Sequence, residues 1–242
     1  MKAGKIEVAS IVARSVSATL RITLATLRDG FRGRNRRVAV DERLRWWSGR
    51  LLELVDLRCT VVNPGGVAPV SGQPTIIMSN HGSIYDIPLI FVAMSGSIRM
   101  LTKKELFRVP LWGRGMAAAE FIAIDRKNHE QAIAALAEAK TKMASGIVVW
   151  VAPEGTRSRD GDLGPFKKGG FVLALQTGAT ILPVGIRGAR DVLPPGTLAV
   201  NLGKTSEIHV GAPIDASAYS SEQRDELIAT VKAEIRRLAG LA

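Results

Sequence analysis

The sequence predicts an α/β protein: a largely parallel central sheet flanked by helices, with an amphipathic two-helix appendage at the N-terminus. Three observations predict it. From residue 75 to about residue 190, short apolar and partly β-branched runs alternate with helical stretches. That alternation is the pattern of strands buried on both faces and joined by helical crossovers. The first 58 residues, in contrast, show an amphipathic helical period. Between the two regimes lies a stretch rich in Pro and Gly, residues 61–73, that reads as a connector.

Composition agrees. The 242 residues are 46% hydrophobic and 23% charged, values of a globular chain with a large core. The predicted division is residues 1–58, basic membrane-docking helices, and residues 59–242, the α/β domain. The single Cys59 excludes an intrachain disulfide, fits a reducing compartment and reads as a small buried hydrophobe. Net charge is +11, and residues 1–58 hold 13 Lys/Arg against 6 Asp/Glu, a local +7. An anionic surface is therefore the expected partner of that end. Arg14 and Arg21 interrupt any secretory leader, and no stretch reads as a membrane-spanning helix; uncharged residues 169–186 contain Gly178 and Pro183 and read as a helix and then a strand.

Taken in order, Val8, Val12, Val16, Leu20, Leu24, Leu27 and Phe31 make one apolar stripe, with Arg14, Arg21 and Arg28 along its margin. Such a helix can lie in a lipid interface or pack on its own domain. A basic turn at residues 30–37 ends it. The second helix carries Leu44, Trp47, Leu51, Leu54 and Val55 on one side, and Trp46 and Trp47 beside arginines resemble an interfacial belt. Candidate membrane-docking residues are Val16, Leu20, Leu24, Trp46 and Trp47. Predicted strands follow at residues 75–79, 98–102, 121–124, 147–151 and 180–185, with two weaker ones at 198–202 and 207–210. Predicted helices cover residues 87–94, 107–119, 129–144 and 166–177. A last helix opens at Ser220 and Gln223 with capping-box spacing and runs to about Leu238.

Chemistry-bearing residues gather where these strands end, the rim on which open α/β sheets bind ligands. Residues 75–79 lead into Asn80-His81-Gly82-Ser83-Ile84-Tyr85-Asp86. A carboxylate five residues beyond the histidine can fold back onto the imidazole, fix its tautomer and stabilise the imidazolium. The competing reading is a helix-capping aspartate beside an unrelated polar histidine. The next strand delivers Lys103 and Lys104, the third Asp125, Arg126 and Lys127, and the fourth Pro153-Glu154-Gly155-Thr156-Arg157. Arginine suits bidentate capture of a phosphate. His129 and His209 lack metal-ligand spacing, Ser79 and Ser83 lack a nucleophile elbow, and no phosphate-binding Gly-rich loop with Lys is present. No metal and no cofactor is expected.

In these blocks the sequence resembles the glycerolipid acyltransferases of the lysophosphatidic acid acyltransferase type. Asn80–Asp86 matches the Asn-His-(four residues)-Asp block, Lys103–Leu106 the Lys-x-Glu-Leu segment, Ile124–Arg126 the Ile-Asp-Arg block and Pro153–Arg157 the Pro-Glu-Gly-Thr-Arg block. Residues 181–184 look like the apolar block around a proline, so the resemblance spans about residues 75–190 in matching order. Ala152, Glu120 and Ala123 depart from residues common in the family. The resemblance implies acyl transfer from an acyl-CoA or acyl carrier protein thioester, as co-substrate, to the hydroxyl of a lysophospholipid. The acceptor would be 1-acylglycerol-3-phosphate, or alternatively another lysolipid such as a lyso-aminolipid.

It further implies His81 as general base held by Asp86, direct transfer without an acyl-enzyme, and backbone amides near Gly82 for the oxyanion. Lys103, Arg126, Gly155, Thr156 and Arg157 would bind the acceptor. Glu154 would hold the glycerol part or brace the loop. Placement would be peripheral, on the cytoplasmic face of a membrane. A basic nucleic-acid- or lipid-binding module without catalysis is the reading from another class; 5% aromatic residues and no recognition motif count against nucleic acid.

Overall fold

The computed structural model describes residues 1–34, 36–125 and 128–241. Two helices come first, α1 (Lys5–Phe31) and α2 (Arg37–Leu54), followed by β1 (Arg58–Val62) and β2 (Thr75–Ser79). Then come α3 (Asp86–Ala93), β3 (Ser97–Lys103), a 3₁₀ turn (Lys104–Arg108), α4 (Trp112–Ala118) and β4 (Ile122–Ile124). The second half holds α5 (His129–Ala144), β5 (Ile147–Val151), α6 (Gly169–Thr177), β6 (Thr180–Arg187), α7 (Ala189–Val192), β7 (Thr205–Val210), β8 (Ile214–Asp215) and α8 (Arg224–Ala239).

The strands form one sheet in the order β1-β7-β6-β2-β5-β3-β4, with β8 also on β6. From β6 through β4 every pairing is parallel, while β7 and β8 run antiparallel to β6. Period-two alternation sends neighbouring strand residues to opposite layers. Ile77, Trp150 and Leu182 join the core under α2 and α3; Ile76, Met78, Val149 and Ile181 join the one under α5, α6 and α8. At Gly185 a Cβ would lie 2.2 Å from the backbone carbon of Leu238, so glycine lets the end of α8 cross β6 closely.

The structure departs from the sequence reading in several places. Residues 58–62 form a strand, β1, paired in parallel with β7, where a helix end and a connector are predicted. Residues 198–202 form no strand; Met1–Ala3 bond there instead, through a bridge from Lys2 to Asn201 and a hydrogen bond from Ala3 N to Val200 O of 2.9 Å. The helix predicted over 107–119 is split by the turn at residues 109–111. The last helix begins at Arg224, with Gln223 Oε1 accepting the Ser220 amide at 3.0 Å.

The boundary predicted at 58/59 is crossed by the core. Val40, Leu44, Leu52 and Val55 of α2 are buried in the same cluster as Leu89 and Ile77. An ionic clamp adds to this: Arg99 of β3, fully buried, donates to Asp41 of α2 at 2.7 Å, and Arg37 makes a two-pronged bond to Glu120 at 2.7 and 2.9 Å. α1 is different. It turns Ile11, Ala18, Thr23 and Thr26 inward and leaves Val12, Val16, Leu20, Leu24 and Phe31 exposed. By length and composition alone it is also apolar enough to cross a membrane, contrary to the expectation that no stretch is.

Candidate active site

β2 is central, and its last residue, Ser79, takes a hydrogen bond from Trp150 Nε1 on β5 at 3.0 Å. The chain then leaves the sheet. Asn80 immediately anchors it by a two-way amide bond to the Ile186 backbone of β6, at 2.8 and 2.7 Å. One residue later His81 presents its ring at the rim, edge-on to Trp150 with centroids 6.3 Å apart. The return to α3 brings Asp86 under the loop. Its Oδ2 lies 2.7 Å from His81 Nδ1 and accepts the Gly82 and Ser83 amides at 2.8 Å each. Asp86 is the first residue of α3, its side chain caps no helical amide, and it pairs with the imidazole, so the reading as a helix cap beside an unrelated histidine does not hold.

His81 Nε2 has no hydrogen-bond partner among the described residues. It is the nitrogen left for a reacting group, since a carboxylate on Nδ1 sets the ring's orientation and tautomer. The Gly82 amide, predicted as an oxyanion donor, is committed to Asp86, and the His81 amide donates to Glu154. Neither is free to serve an oxyanion.

Glu154 is buried. Its Oε1 accepts from His81 N at 3.2 Å and its Oε2 from Gly164 N at 2.9 Å. Burial pushes its carboxyl above the ordinary range, against the opposing pull of these two amides. Of the two roles left open for Glu154, the geometry supports bracing: it ties the β2 loop to the β5 loop and does not line the cavity. The Ser158 amide reinforces this tie by donating to His81 O at 2.8 Å. Gly155 sits at φ +73, a left-handed conformation that suits glycine and turns the loop outward.

A cavity of about 560 Å³ opens beside His81. Its lining includes apolar Ile87, Met100, Leu106 and Ile124, cationic Lys103, Arg157 and Lys167, and also Gly155 and Thr156. No carboxylate lines it among the described residues. Lys104 is paired with Asp125, which leaves Lys103 as the lysine of that segment at the cavity. Arg126 lies outside the described residues. Lys167 was missed in the sequence; the signal was there, a lysine pair between Phe166 and Gly169 at the mouth of a helix, read only as helix.

Comparison with known proteins bears on this arrangement. Residues 59–187 match the family model described as Acyltransferase, half of the chain or more. The chain belongs to the acyltransferase family. Its relatives include a chloroplastic 1-acyl-sn-glycerol-3-phosphate acyltransferase, BAT2, of Brassica napus, 33% identical over 129 residues that cover 53% of this chain and 37% of that one. A 1-acyl-sn-glycerol-3-phosphate acyltransferase of Borreliella burgdorferi is 33% identical over 161 residues, 66% of this chain and 64% of its own. The matched part thus spans less than two thirds of these relatives. Among solved structures, the 1-acyl-sn-glycerophosphate (LPA) acyltransferase PlsC of Thermotoga maritima superposes with a TM-score of 0.71 at 26% identity, over 94% of this chain and 97% of that one. The acyltransferase match covers the His81 and Glu154 loops, and the structural likeness extends to the helices outside it.

Proposed function

We propose that this acyltransferase moves a fatty acyl group from an acyl thioester to the free hydroxyl of a lysophospholipid, with 1-acylglycerol-3-phosphate as acceptor. The observation that carries this is the His81–Asp86 pair, 2.7 Å apart, beside a cavity whose lining includes both cations and apolar groups. Such a cavity suits a phosphate and an alkyl chain together. The activities for which the relatives are named agree with it.

In this reading Lys103, Arg157 and Lys167 hold the acceptor phosphate, and the family resemblance adds Arg126 to them. His81 Nε2 takes the hydroxyl proton as the oxygen attacks the thioester carbonyl. Asp86 stabilises the imidazolium so formed. Collapse of the tetrahedral intermediate expels the thiolate, which recovers the proton as free thiol, and the new ester leaves. No acyl-enzyme and no cofactor is involved. The donor, acyl-CoA or acyl carrier protein, arrives from water.

The acceptor resides in a bilayer, so the reading places the enzyme on a membrane surface, on the cytoplasmic face. Support comes from α1, whose apolar stripe faces out. A spanning placement is disfavoured because α1 and the residues leading into it are bonded to the rest of the chain: Met1–Ala3 to residues 200–202, Thr19 to Trp47 at 2.9 Å, and Asp29 to Arg43. Trp46 faces outward with Arg21 stacked on its ring at 4.6 Å. Trp47, proposed from sequence as a docking residue, is half-buried against Thr19 and joins the two helices instead.

The test is acyl transfer by purified protein from both donor types to a panel of lysolipids. His81→Ala should lower turnover about 10²–10⁴-fold with the fold intact, and Asp86→Asn should keep a residue of activity. Full activity in His81→Ala ends the assignment. Transfer to a lyso-aminolipid in preference to 1-acylglycerol-3-phosphate would replace the proposed acceptor.

A further inference from the structure

Between the 3₁₀ turn and α4 the chain makes a sharp corner at Val109-Pro110-Leu111. Trp112 N donates to Pro110 O at 2.7 Å, closing a three-residue turn centred on Leu111 at φ +62, ψ −55. That γ-turn conformation is rare and strained for any residue with a side chain, and glycine would relieve it. The corner is also tight underneath: a Cβ on Gly113 would lie 1.9 Å from Phe107 O. Yet the strained position holds a leucine, and Leu111 is 46% exposed, with Val109 at 41%. Packing within the domain does not explain a large apolar side chain there. Strain of this kind persists where the side chain so displayed has a use.

Two neighbours indicate the use. Arg108 and Arg114 flank the corner, both exposed and neither paired with a carboxylate among the described residues. α4 packs directly on α1, with Gly115 so close to Thr23 that a Cβ would lie 2.7 Å from Thr23 Cγ2. Leu111 stands one helical turn before Gly115, and Leu20 and Leu24, both exposed, flank Thr23. The contact of α4 with α1 thus joins the element that follows the corner to the helix that exposes Leu20 and Leu24. On the corner's other side the 3₁₀ turn carries Leu106, which lines the cavity.

We propose that the Val109-Pro110-Leu111 corner is a second membrane contact, which inserts into the headgroup boundary of an anionic bilayer and sets the cavity's Leu106 side against the lipid. The proposal rests on the membrane placement argued above for α1. Leu111 and Val109 supply apolar contact, Arg108 and Arg114 attraction to anionic headgroups. An acceptor lipid would then pass from the leaflet to the cavity along one short segment.

The experiment uses the full chain as wild type, Leu111→Gly, and Leu20→Ser with Leu24→Ser, on vesicles of phosphatidylcholine with and without phosphatidylglycerol. Leu111→Gly removes the side chain and suits the backbone, so its Tm should equal or exceed that of wild type. Its vesicle affinity should fall about tenfold, the effect of one leucine withdrawn from lipid. Loss of binding by the α1 variant with wild-type binding by Leu111→Gly would overturn the corner's role and spare α1. Wild-type binding by both would overturn the membrane placement itself. A lower Tm for Leu111→Gly would make Leu111 a packing residue, and a wild-type dimer dissolved by that substitution would make the corner a self-contact. Either result overturns the proposal.

Discussion

α1 and α2 are consecutive, touch each other and were grouped by their sequence as one amphipathic pair, yet they are built in opposite senses. α2 buries Val40, Leu44 and Leu52 and locks its start with Arg37 and Asp41 to Glu120 and Arg99. α1 buries Ile11 near its start and otherwise alanine and threonine, and shows Leu20, Leu24, Val12 and Val16 to solvent. The difference teaches that amphipathic period locates a stripe without saying which solvent it meets. α2 is a wall of the core, and α1 is a surface that the domain holds up by its small-residue side.

The strongest way to break this comparison is at the clamp. Asp41→Ala leaves the fully buried Arg99 with Glu120 at 3.9 Å as its remaining carboxylate. Removing one partner of a buried pair should cost about 3 kcal/mol, read as a lower denaturant midpoint. If stability is unchanged, α2 is as peripheral as α1. On the opposite side, Leu20→Ser with Leu24→Ser should leave Tm alone and weaken vesicle binding roughly thirtyfold, about 2 kcal/mol for two half-exposed leucines. A Tm drop with unaltered binding would show that the stripe is covered within the protein.

A smaller effect probes the seam. Gly115→Ala puts a methyl against Thr23 and should destabilise by about 1 kcal/mol; adding Thr23→Ser removes the opposing methyl and should recover much of it, a coupling that a double-mutant cycle measures. The smallest effect contrasts the clamp's compensated charges with Glu154, a buried carboxylate held by amides alone. Its folded-state pKa is raised by burial. Its contribution to stability is therefore full below the unfolded value and lost as pH rises through the folded one. The Tm advantage of wild type over Glu154→Gln should be larger at acid than at neutral pH, by about a degree or two; an advantage that grows with pH would contradict the raised pKa.

The sequence by itself determined the alternating α/β order, the parallel rim, and the placing of His81, Asp86, Lys103 and Arg157 on it. These are local matters: a buried strand must be a continuous apolar run, its end must be a turn, and the turn carries the residues next in the chain. Other features were set by tertiary contacts alone. β1 is an edge strand whose Cys-Thr-Val-Val run gains its hydrogen bonds from β7, nearly 150 residues away. Glu154 looks like any exposed loop acid until the His81 and Gly164 amides close on it. Lys167 reaches the cavity because the long loop from β5 folds back, its amide on Pro153 O at 2.7 Å. The outward stripe of α1 was decided last, because a helix turns its face toward whatever surface receives it. α4 presents Gly115, and α2 presents Trp47 and Arg43, a surface that accepts threonine and alanine closely and has hydrogen bonds to give them. Leu20 and Leu24 are left on the side where the described residues place little against them.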